Sequence, residues 1–102
     1  MALDYFDRAL LLDPQSPSAH FAKAVVLLTL NRPAEAKQEA RRTLELSPGL
    51  IEAHYLLGAA LAVQGKITSE AVEHLTIAAP KLPQARAFLA ALQAQLAESQ
   101  HH

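Results

Sequence analysis

The sequence predicts an all-α fold built from stacked helix hairpins. Good helix formers (Ala, Leu, Gln, Glu, Lys and Arg) dominate, and there are only three glycines in 102 residues. The β-branched residues are scattered, with no alternating run bounded by turns. The stretch LLLDPQSPSAH near the start returns thirty-four residues later as LELSPGLIEAH. Such an interval marks a repeat in which each unit hides its apolar side only by packing on its neighbours.

The register is visible position by position. Pro14 and Pro48 are 34 apart, as are His20 and His54, Phe21 and Tyr55, Ala24 and Gly58, Leu27 and Leu61, and Asn31 and Gly65. Phe6 with Ala40, Leu10 with Leu44 and Leu12 with Leu46 continue the match. One extra residue stands between Gly65 and Ala71, so the proline that closes the next unit, Pro83, falls 35 after Pro48.

Six helices follow, at about 2–13, 17–30, 34–46, 50–64, 69–79 and 84–98. The first ends at Asp13-Pro14, because proline holds the residue before it in extended geometry. Asn31 ends the second; asparagine and glycine tolerate the left-handed backbone of a helix C-terminus. Pro33 suits the first turn of the third helix, which stops at Ser47-Pro48. Gly65 ends the fourth helix, and Pro80 cuts the fifth short near Ala79. The sixth carries Phe88, Leu89, Leu92 and Leu96 on one stripe and Gln and Glu outside, as a capping helix should.

The spacing resembles the tetratricopeptide repeat (TPR) pattern W-x2-L-G-x2-Y, A-x3-F, P over 34 residues. Here it reads His54-x2-Leu57-Gly58-x2-Leu61, Ala71-x3-Leu75-x2-Ala78, Pro83 in one unit. The unit before it reads His20-x2-Lys23-Ala24-x2-Leu27, Ala36-x3-Ala40-x2-Thr43, Pro48, and the chain opens with Ala2-x3-Phe6-x2-Ala9 and Pro14. The resemblance covers residues 2–83 and implies a right-handed α-α superhelix. It divides a single domain, 1–100, into a half repeat at 2–14, repeats at 15–48 and 49–83, and a capping helix at 84–98. Lys23 departs from the pattern's buried leucine; its stem is expected to be buried and its ammonium to reach water. His101-His102 read as a purification-tag remnant.

The resemblance also implies a site. TPR arrays bind a peptide or helix along a concave face lined by the first helix of each hairpin. The exposed inner positions would be Ser18, Phe21, Ala22, Val25, Leu28 and Thr29, then Glu52, Tyr55, Leu56, Ala59, Ala62 and Val63, with Phe88 closing the groove. The surface is apolar, so the expected partner is an apolar or amphipathic peptide or helix. The competing reading is that Phe21, Val25 and Leu28 simply pack on neighbouring helices. Some TPR domains grip a C-terminal carboxylate with Lys, Asn and Arg on this face; none of these types occupies the inner positions here.

The opening helix is apolar almost all round, through Leu3, Tyr5, Phe6, Leu10, Leu11 and Leu12. Such a helix is normally covered. One reading is a piece of a longer protein whose preceding helix covers it. The other is a homodimer through Leu3, Phe6, Leu10 and Leu11. Alanine and leucine richness hints at a bacterial source.

Chemistry finds little purchase. No cysteine is present, so disulfides and thiolate sites are excluded. The serines sit at helix ends, where capping explains them. His20 and His54 share a repeat position and are expected to pack; His74 with Glu70 one turn before it would chelate a metal only weakly. The net charge of -1 and the mixing of Lys37, Arg41 and Arg42 with Glu35, Glu39 and Glu45 give no nucleic-acid track. Glu70 and Glu73 read as surface. No apolar run is long enough to span a bilayer, and Met1-Ala2-Leu3-Asp4 lacks a basic signal start, leaving the compartment undecided. The expectation is a non-catalytic protein-interaction module with no cofactor or metal. The alternatives are a homo-oligomerisation unit and a docking or regulatory segment of a larger enzyme.

Overall fold

The computed structural model describes residues 2–66 and 68–100. Its helices are α1 (Ala2–Leu12), α2 (Pro17–Thr29), α3 (Pro33–Leu46), α4 (Ile51–Val63), α5 (Ser69–Ala78) and α6 (Pro83–Gln100). Most ends fall within a residue of the expected ones, and α6 runs two residues further. Part of the expected insertion, Ile67, and the terminal His101-His102 lie outside the described residues.

Local chemistry sets the ends. Asn31 and Gly65 have φ of 61° and 77°, the left-handed geometry that their position in the repeat demands. Each closes a Schellman motif: the Arg32 amide donates to Leu27 O at 2.9 Å and the Lys66 amide to Leu61 O at 3.0 Å. Ser16 Oγ accepts from the Ala19 amide and Thr68 Oγ1 from the Ala71 amide, capping α2 and α5. Pro17 and Pro33 stand at helix starts, where their missing N–H groups cost nothing.

Each helix packs on the next in sequence, and α2 also touches α4 more closely than α3 touches α5. The first helices of the hairpins, α2 and α4, thus share the side that the repeat pattern makes the inner one. The chain measures 51 × 25 × 19 Å with a radius of gyration of 14.3 Å, against about 13 Å for a compact domain of this length. This is an all-α repeat solenoid rather than a bundle around one axis.

Two buried clusters hold it. Ala24, Ala40, Leu56, Leu57, Leu61 and Ala71 form one, and Leu3, Leu27, Ala36 and Ala60 form the other. Small residues let the hairpin helices approach, but the two hairpins divide the space differently. In the second, a Cβ on Gly58 would stand 2.7 Å from Leu75 Cγ and 3.1 Å from Ala71 O. In the first, the equivalent residues are Ala24 and Ala40, both fully buried. Glycine faces a large partner, and alanine faces a small one.

Lys23 makes a tie that its place in the repeat does not reveal. Its side chain stays 21% exposed, and its ammonium lies 2.7 Å from Asp7 Oδ1 on α1, itself 54% exposed, and 3.5 Å from Glu39 Oε1 on α3. The hydrogen bond to Asp7, and then the nearby Glu39, hold its pKa above the ordinary lysine value against the opposing effect of burial. The polar residue in the leucine slot thereby ties three helices together.

Candidate functional site

The inner face is lined by α2, α4 and α6. Tyr55 on α4 and Phe88 on α6 meet edge to face, ring centroids 6.3 Å apart at 79°. Val25 on α2 and Val63 on α4 are exposed, as is Thr29, whose hydroxyl donates back to Val25 O at 2.9 Å. Ala22 and Ala62 are half-buried, and Ser18 and Glu52 are exposed at its N-terminal end.

Four expected lining residues sit deeper. Leu56 and Ala59 are buried, Leu56 within the core cluster. Phe21 and Leu28 are half-buried and pack against that cluster. The close contact of α2 with α4 takes these side chains into the core. The apolar residues left at the surface are Val25 and Val63, which are exposed, and Tyr55, Ala62 and Phe88, which are half-buried and belong to neither core cluster.

α1 needs a similar correction. Leu3 is buried against Leu27, Ala36 and Ala60, so it is not part of an open face. Phe6 and Leu10 are half-buried, while Leu11 and Leu12 are 83% and 90% exposed. Tyr5 is exposed too and sets its ring edge-on to Phe6 at 5.4 Å.

The outer side carries two matching histidine contacts that join the helices of each hairpin. His20 Nε2 lies 2.8 Å from Pro14 O and its Nδ1 lies 2.7 Å from Glu39 Oε2. His54 Nε2 lies 2.9 Å from Pro48 O, and its Nδ1 lies 2.9 Å from His74 Nδ1. The two rings of that pair meet edge to edge and near-parallel, centroids 5.2 Å apart at 28°. Glu39 and His74 are 35 apart, the interval of Pro48 and Pro83, so they occupy one repeat position. Sequence reasoning missed this pairing, although the register contained it. The mixed charges of α3 also gave no sign that Arg41 reaches Glu70 on α5, at 2.7 Å. With His74, Leu44, Glu45 and Leu57 they border an open cavity of about 350 Å3. Among the described residues no three His, Asp or Glu side chains gather to hold a metal. No described helix is long and apolar enough to cross a membrane.

A tetratricopeptide repeat family model matches residues 2–51, from α1 to the start of α4. The chain belongs to the tetratricopeptide repeat family. It is 38% identical over 77 residues to Anaphase-promoting complex subunit 3 of Schizosaccharomyces pombe, which covers 76% of this chain but 11% of that protein's length. Among solved structures it resembles the first TPR of Spaghetti (RPAP3) bound to the HSP90 peptide SRMEEVD. That likeness has a TM-score of 0.89 at 22% identity and covers 94% of this chain and 78% of the other. It concerns the TPR fold. Within that fold, His20 and His54 fill the slot where the TPR pattern has tryptophan, and bonds to a proline carbonyl replace the indole's bulk.

Proposed function

We propose that this TPR chain is a non-catalytic protein-interaction module whose inner face docks an apolar or amphipathic peptide or helix. The observation that carries the reading is the Tyr55–Phe88 pair, together with the exposure of Val25 on α2 and Val63 on α4. Aromatic anchors with open apolar positions near them in the array suit the centre of an interface. A family fold used for protein contacts, and a neighbour holding a peptide, support it.

Peptide chemistry separates this from carboxylate capture. The neighbour's peptide SRMEEVD is acidic at its C-terminal end. None of the inner positions here carries a cation, so that peptide should show no measurable binding by calorimetry. Selection from a displayed random-peptide library, with counter-selection on a Tyr55→Ala/Phe88→Ala variant, should enrich apolar or amphipathic sequences indifferent to a free C-terminus. Enrichment of acidic C-terminal sequences, or equal capture by the variant, would contradict the reading.

The exposure of Leu11 and Leu12 favours a second reading, self-association through α1. It predicts a concentration-dependent mass in light scattering that Leu11→Glu abolishes. A strict monomer at every concentration, with full helicity, removes it.

A further inference from the structure

The two histidine contacts occupy one repeat position but count protons differently. Pro14 O and the Glu39 carboxylate are both pure acceptors, so His20 satisfies both only when each ring nitrogen carries a hydrogen. Added protons complete this contact. In the second hairpin, Pro48 O obliges His54 to hold its hydrogen on Nε2. His54 Nδ1 is then an acceptor, and His74 Nδ1 must donate across the 2.9 Å gap. A proton on His54 Nδ1 would set two N–H groups against each other.

We infer that the His54–His74 pair is an acid-released catch on the α4–α5 hairpin, whereas the equivalent His20–Glu39 contact stays closed. The charges around the pair leave it in this state. Arg41 on α3 lies on Glu70, itself 3.8 Å from His74 Nε2. Glu45 on α3 borders the same cavity, and Glu73 precedes His74 on α5. Glu70 is thus already committed to the guanidinium and offers an incoming imidazolium only a shared partner. Around His20, Glu39 also meets Lys23, which Asp7 holds.

The direction of the pH effect agrees. Burial first, then the His54 ring, hold the His74 ring below the ordinary histidine value of 6.5; Arg41 adds to this, while Glu70 and Glu73 oppose it. Such a ring binds fewer protons folded than unfolded. Its stabilising share is therefore whole above about pH 6.5 and declines as the pH falls through that value and below.

Release would loosen α5, and through α4 it would reach Tyr55, the residue after His54. That consequence for docking rests on the function proposed above; the catch itself does not. Amide hydrogen exchange on the whole chain at pH 7.0 and 5.5, corrected for intrinsic rates, reads it directly. The α5 amides, including the Ala79 N–H bonded to Leu75 O, should lose about three- to tenfold protection relative to α2 and α3. His74→Gln keeps a donor and an acceptor at every pH and should remove that loss. Glu39→His should transfer it to the first hairpin. Equal change in both hairpins, no change in wild type, or an undiminished loss in His74→Gln would overturn the inference. His74→Gln replaces a half-buried ring on an outer helix, so its folding at pH 7.0 is measured in the same experiment.

Discussion

Leu75→Ala should destabilise the chain by about 2–5 kcal/mol, seen as a fall in Tm of at least about 10 °C. Leu75 is fully buried and fills the space over Gly58. Removing it leaves a void between α4 and α5. Gly58→Ala attacks the same contact from the other side. A Cβ there meets Leu75 Cγ at 2.7 Å and a backbone oxygen at 3.1 Å, and neither is the free end of a side chain. Overpacking costs about 1–3 kcal/mol, against roughly 1 kcal/mol that alanine returns as the better helix former. A net loss of up to about 2 kcal/mol is expected. The double variant recreates the Ala24–Ala40 pairing of the first hairpin. It should be more stable than the sum of the single losses by at least about 1 kcal/mol. Strict additivity in denaturant melts would show that the two positions do not share one space.

The second large effect falls on binding. For a peptide selected on the inner face, Tyr55→Ala/Phe88→Ala should weaken affinity at least about thirtyfold, the loss of one hot spot of about 2 kcal/mol. Phe21, which the sequence pairs with Tyr55, is a poorer probe. It packs against the core cluster that contains Leu56 and Leu61, so truncating it would disturb the fold as well as the face. Leu11→Glu, on α1, should leave the same affinity unchanged. Calorimetry on the three proteins, each first shown to keep wild-type helicity, separates lost contacts from lost structure.

Residues whose role is fixed by their own backbone were legible before the structure. Asn31 and Gly65 had to take positive φ where a helix stops, and Asp13-Pro14, Ser47-Pro48 and Pro80 had to end helices. The repeat interval then fixed which helices pair. Depth was harder to read, because it depends on the distance between elements that the interval does not specify. Leu56 and Ala59 went inward where α4 closes on α2, and Leu3 went inward against Leu27. Side chains bridging elements were hardest. Lys23 reaches Asp7 and Glu39, and Arg41 reaches Glu70, across gaps that no spacing rule within one helix describes. The pairing of His20 with Glu39 and of His54 with His74 lay between these cases: the register held it, but only the inserted residue, counted correctly, brings Glu39 and His74 into line.

The proposed docking depends on the shape of the surface shared by α2, α4 and α6. Backbone-amide NMR of the labelled chain, titrated with a library-selected peptide, reads that surface residue by residue. Shift changes are expected on α2, α4 and α6 around Val25, Tyr55, Ala62, Val63 and Phe88. Changes centred instead on Leu11 and Leu12, or on the outer cavity beside Arg41 and His74, would contradict it.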